Sequence, residues 1–127
     1  MVSYEATTDA IRVTVRPLYL DGQTDMMSGR FVFGYFVRIE NESSREVQLL
    51  RHHWVISDGR GKVQQVEGDG VVGLQPIIGP GRAHEYNSFC VLETFEGSME
   101  GTYLMERDDG ERFRVNIPRF NLRAASN

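Results

Sequence analysis

One cysteine, Cys90, is all the chain has, so no internal disulfide can form and stability must come from a packed core. No apolar run approaches the roughly 20 residues that a bilayer-spanning helix needs, which excludes that class of membrane protein. No segment repeats apolar residues at i, i+3, i+4 and i+7 over three turns, so no amphipathic helix is predicted. Charge is not massed either: 18 acidic residues face 14 lysines and arginines, net −4, with no basic run. Binding to nucleic acid rests on cations that neutralise phosphates, so nucleic acid is not an expected partner. The N-terminal Met1-Val2-Ser3-Tyr4-Glu5 lacks the basic segment and apolar core of a secretory signal, and a cytoplasmic location is the expectation. What is present, 40% hydrophobic and 25% charged residues in a chain of 127, is the composition of one ordinary folded domain, expected over 1–127 with its core at about 10–122.

Ile11, Val13 and Val15 alternate with Arg12, Thr14 and Arg16, the period of two that buries one face of a strand. Pro17 marks an edge or a bend at its end. From Arg30 to Asn41, Phe31, Phe33, Tyr35, Val37 and Ile39 share one face, which predicts a central strand. Asn41-Glu42-Ser43-Ser44 reads as a turn, and Val47 to Asp58 as a strand with Leu50, His52, Trp54 and Ile56 on one face. Trp54 is expected inside, against aromatic residues of the preceding strand. Asp58-Gly59-Arg60-Gly61 signals a hairpin before a short strand from Lys62 to Glu67. The glycine-rich stretch Gly68 to Gly81, with Pro76 and Pro80, is predicted to connect two sheets. Further strands are predicted over Arg82–Val91 and Gly101–Glu106, with Gly97 and Ser98 in a loop between them. After a hairpin turn at Asp108-Asp109-Gly110, Phe113, Val115 and Ile117 mark the last strand. The fold class is therefore all-β, a two-sheet immunoglobulin-like or fibronectin type III-like β-sandwich of about seven strands.

Chemistry is harder to find. Gly68-Asp69-Gly70-Val71-Val72-Gly73 fits the glycine spacing of a dinucleotide loop, but that chemistry needs a helix whose N-terminal amides meet the phosphate. Val71, Val72 and Gln75-Pro76 oppose a helix, so the segment reads first as a bend whose glycines serve backbone conformation. A concave nest of exposed amides that holds an anion is the second reading. His52 and His53 are adjacent in a strand and point to opposite faces, so they cannot readily chelate one metal ion. Cys90, between Phe89 and Val91, has no base nearby in sequence and reads as a small core residue. No Gly-x-Ser-x-Gly elbow is present, and the acidic residues Glu67, Asp69, Asp108 and Asp109 fall at loops and turns. No catalytic residue is assigned, and no cofactor or metal is expected.

The segments Val66-Glu67-Gly68-Asp69-Gly70-Val71-Val72-Gly73-Leu74-Gln75-Pro76, Pro80-Gly81, Tyr86, Gly97-Ser98-Met99-Glu100-Gly101-Thr102-Tyr103-Leu104-Met105 and Phe113-Arg114-Val115-Asn116-Ile117-Pro118-Arg119-Phe120-Asn121-Leu122 together resemble the ApaG family of bacterial proteins. The similarity runs from Ile11 to Leu122. The resemblance implies a fibronectin type III-like sandwich, a genetic association with cobalt and magnesium tolerance, and kinship with domains fused into eukaryotic F-box proteins and a DNA-polymerase-delta-interacting protein. It implies no family-wide catalytic activity. The chain departs from the family pattern at His52, where arginine is usual, at Asp69 for glutamate, at Asn87 and Phe89 within a Tyr-Thr-Ser-Gly run, and at Phe95 for proline.

These readings lead to a non-enzymatic module that binds another protein, compatible with a homodimer and with no membrane partner. The alternative is a small-ligand or anion-binding protein that holds a phosphate or nucleotide on Gly68, Asp69, Gly70 and Gly73, with Arg51 and Arg82 as counter-charges.

Overall fold

The computed structural model describes residues 2–25 and 27–125; Met1, Met26, Ser126 and Asn127, and with them the two ends of the expected 1–127 domain, lie outside the described residues. Among the described residues nine strands follow in order: β1 (Tyr4–Thr8), β2 (Ile11–Tyr19), β3 (Phe31–Asn41), β4 (Val47–Asp58), β5 (Val63–Asp69), β6 (Ile77–Ile78), β7 (Ala83–Leu92), β8 (Glu96–Arg107) and β9 (Arg112–Arg123). They form two antiparallel sheets, one ordered β1-β2-β3-β7 and the other β5-β4-β8-β9, with β6 added beside β4. A 3-10 turn at Asp21–Gln23 is the only helical element among the described residues, and no helix there is long and apolar enough to cross a membrane.

The period-two pattern explains the core. Ile11, Val13 and Val15 of β2 and Phe33, Tyr35, Val37 and Ile39 of β3 are buried from one sheet. They meet Val47, Leu49 and Trp54 of β4, Tyr103 and Met105 of β8, and Val115, Ile117, Phe120 and Leu122 of β9. Buried apolar area of this kind is the main favourable term in folding. Pro17 lies beyond the reach of β1, whose register ends at Tyr4 opposite Val15, so its missing N–H falls where β2 has become an edge.

Several expectations need correction. The predicted face of β4 began at Leu50, but Leu49 is the fully buried residue, because the register against β8 shifts between Leu49 and Arg51. Leu50 is the extra residue of that bulge; before it Val47 and Leu49 point inward, and after it His52, Trp54 and Ile56 do. A second shift lies between Met99 and Gly101, where β9 moves its inward residues from Ile117 to Phe120. Gly97 and Ser98 are not in a loop: both belong to β8, opposite Asp58 and Ser57 of β4. Gly68 and Asp69 likewise belong to β5, so the connection between sheets begins at Gly70. Strands β1 and β6 were not predicted. The turn before β2 is made by Asp9 and Ala10, both at positive φ (48° and 63°), and a hairpin turn without Gly or Asn leaves little trace in sequence.

Candidate functional site

The two long sides of the sandwich differ. On one, the outer strands of the two sheets are tied together: Asn116 of β9 donates its N–H to Thr8 Oγ1 of β1 at 3.1 Å, and the rings of Tyr4 and Phe120 lie 6.3 Å apart. On the other, the edge strands β5 and β7 flank an open groove of about 220 Å³. Its floor holds Tyr35 and Trp54, whose rings cross at 61° with centroids 5.4 Å apart, and Phe120 packs edge-on behind Trp54 at 6.0 Å. Trp54 is thus inside the sandwich against an aromatic residue of β3, as expected from sequence. Val66, Val72 and Phe89 form the lip and are 36%, 65% and 67% exposed.

Burial sets the chemistry of the groove walls. It pushes the Cys90 thiol up to about 12, so the sulfur stays protonated at neutral pH and is a poor nucleophile. It also raises the phenols of Tyr35, Tyr86 and Tyr103, with Ser88 opposing the shift of Tyr35 by hydrogen bonding. Tyr86 and Tyr103 hydrogen-bond to each other through their hydroxyls. The histidines separate as the strand period requires. His52 turns inward, and its Nδ1–H donates to the Gly70 carbonyl at 2.6 Å, which fixes a proton on that nitrogen because a carbonyl can only accept. His53 faces outward, with Nε2 at 2.9 Å from Gln65 Oε1. Among the described residues no group of three or more His, Cys, Asp or Glu is placed to hold a metal ion.

The structure distributes the glycine-segment residues unevenly. Gly68 sits beneath the His52 ring, where a Cβ would lie 3.0 Å from Cε1. Gly70, at φ 61°, begins the connection, and its N–H donates to Leu50 O at 2.8 Å. Val71 and Leu74 then exchange backbone hydrogen bonds of 2.8 and 3.0 Å around Val72 and Gly73, both at positive φ (48° and 78°), which is a type I′ turn. A turn therefore stands where a dinucleotide site would carry a helix, and the amides of Gly70, Val71 and Leu74 are already used. Arg51 and Asp69 come together as an ion pair of 2.6 Å on the outer face. Arg82 does not join them. It precedes β7, where its carbonyl accepts from Asn41 N–H at 2.9 Å and its N–H donates to Gly79 O at 3.0 Å, and among the described residues it makes no hydrogen bond or ion pair with Gly68, Asp69, Gly70 or Gly73.

Sequence reasoning missed the lip of the groove. Phe89 stands opposite Gly34 on the outer face of β7, which otherwise carries Ala83, Glu85 and Asn87. An aromatic residue on a polar strand face was the available signal. A larger hollow of about 520 Å³ lies on the outer face of the first sheet, but its charges are satisfied internally: Arg38 pairs with Glu85 and Glu40, and Arg16 lies over the Phe36 ring at 5.8 Å.

Known proteins share this architecture and sequence. Protein ApaG of Paramagnetospirillum magneticum is 54% identical over 119 residues, 94% of this chain and 92% of that protein. Protein ApaG of Brucella abortus is 47% identical over the same shares of both chains. A crystal structure of an ApaA protein from Bordetella pertussis superimposes with a TM-score of 0.87 at 43% identity, covering 89% of this chain and 92% of that one. The family model of the ApaG domain matches residues 21–107, and with relatives this similar along nearly their whole length, the chain belongs to the ApaG family.

Proposed function

We propose that the protein is a non-enzymatic interaction module whose working surface is the groove between β5 and β7. The observation that carries this reading is the lip: Val66, Val72 and Phe89 are exposed apolar side chains gathered on one open side of the sandwich, over an aromatic floor. Contiguous exposed apolar surface is costly to keep in water and marks contact sites in soluble proteins. Val72 adds to this, since a β-branched side chain at φ 48° is held there against its own preference. The groove's titratable walls, a protonated thiol and raised phenols, suit burial under a partner and not nucleophilic chemistry.

The test is site-specific photo-crosslinking in cells. A crosslinker at Val72 is expected to trap a discrete partner, and one at Glu111, in the β8–β9 turn outside the groove, is not. Equal labelling from both positions, or none from Val72, would remove the support for this surface.

A further inference from the structure

We infer that the groove takes an extended protein segment as an added strand along β5, and that this segment is apolar on its groove face and basic on its outer face. The inference rests on the interaction-module reading and names its partner chemistry. Strand β5 is an edge, paired among the described residues only with β4. Asp58 N–H donates to Lys62 O at 3.0 Å and Gly70 N–H to Leu50 O at 2.8 Å, which brackets the ladder. Antiparallel bonding alternates, so residues 62, 64, 66, 68 and 70 exchange their backbone bonds with β4. The N–H and C=O groups of Val63, Gln65, Glu67 and Asp69 therefore point away from the sheet, a ready template for one more strand.

Several devices that usually blunt such an edge are missing. Within Val63–Asp69 there is no proline, lysine or arginine, and no register shift interrupts its pairing with β4. The side-chain alternation of β5 then dictates the guest. Of its inward residues Gly68 lies beneath the His52 ring, and Val66 lines the groove together with Val72 and Phe89. A guest side chain opposite them enters an apolar groove. Its outward residues at the far end, Glu67 and Asp69, are acidic and 61% and 74% exposed at their side chains; each meets one partner on β4, His53 at 3.7 Å and Arg51 at 2.6 Å, and a carboxylate has acceptor sites left for a second cation. Guest side chains directly across from them gain most if cationic, because opposite charges on facing strands attract and like charges repel. The net charge of −4 favours approach of the same cationic chain.

Trp54 is the only tryptophan and lies on the groove floor, so its emission reports occupancy. The probe is an end-capped octapeptide alternating lysine and valine, about the length of β5 in extended form. Saturable change in Trp54 emission is expected. Replacing lysine by glutamate, or N-methylating alternate peptide amides, should each weaken binding by about tenfold or more. Gln65→Pro, which removes an outward N–H while sparing the bonds to β4, should do the same; the N-methylated peptide gives the equivalent test on the folded parent should that variant not fold. No saturation by about 1 mM overturns the inference. So does equal binding of the N-methylated or glutamate peptide, or binding that leaves Trp54 emission unchanged. If the peptide fails while crosslinking from Val72 still traps a partner, strand addition falls and the interaction-module reading stands.

Discussion

Replacing Gly70 with alanine separates backbone geometry from every side-chain contact at the start of the glycine connection. Gly70 is at φ 61°, a region that costs an L-residue about 1–2 kcal/mol. The added Cβ would also lie 2.8 Å from the Leu74 carbonyl carbon and closer still to its oxygen. That oxygen accepts the Val71 N–H at 2.8 Å, so it cannot retreat without weakening the bond that closes the type I′ turn, a further loss of about 1 kcal/mol. Together the loss is on the order of 2–3 kcal/mol. Gly73 is the internal comparison: its φ is 78°, but a Cβ there meets nothing within 4 Å, so alanine should cost only the conformational part, about 1 kcal/mol. Urea unfolding followed by tryptophan emission measures both, with unchanged m values as the check that the denatured state is the same. A Gly70→Ala variant no less stable than Gly73→Ala would refute the reasoning, since the two differ mainly in the Leu74 contact.

Trp54→Ala should lower stability by about 3–5 kcal/mol, because it empties a site packed by Tyr35 and Phe120; a midpoint within error of the parent would contradict the described register. Val72→Asn should raise stability by about 0.5–1 kcal/mol, since asparagine tolerates the positive φ of a type I′ turn and valine does not, and thermal unfolding reads the sign. The Cys90 thiol is raised from 9.0 to about 12, so the unfolded chain releases that proton first as pH rises. Its contribution is complete below pH 9.0 and is lost as pH climbs toward about 12, and stability of the parent should fall across that window more steeply than that of Cys90→Ala.

Much of the fold was legible because its strands obey a clean alternation. Ile11 to Val15, Phe31 to Ile39 and Phe113 to Ile117 each placed their buried residues correctly, and the turns at Asp58-Gly59-Arg60-Gly61 and Asp108-Asp109-Gly110 carry the usual residues. The failures are local and physical. Asp9-Ala10 and Val72-Gly73 form turns with a non-glycine residue at positive φ, so propensity pointed elsewhere, and the second disguised a tight turn as part of a longer loop. Gly97 was read as a loop residue, although a Cβ there would lie 2.7 Å from Leu92 Cδ1; it is glycine because a packed strand leaves it no room. The groove was invisible for a different reason. It is defined by which two edge strands face each other across the sandwich, and Val66, Val72 and Phe89 are far apart in sequence and come together only in the folded chain.

The extra residue at Leu50 has an evolutionary consequence. The bulge absorbs that single insertion, so every side chain after it on β4 keeps the direction it would have if Leu50 were absent, as a loop of slack leaves both ends of a rope where they were. Substitutions along the strand are judged one at a time, each by its own neighbourhood. Loss of one codon at this place would leave Leu49, Arg51 and His52 in plain alternation, with His52, Trp54 and Ile56 still inward. Tolerance of length change on this strand is therefore greatest at the bulge, and lineages that differ by one residue here should be found to differ there, or in the turn at Asp58 to Gly61.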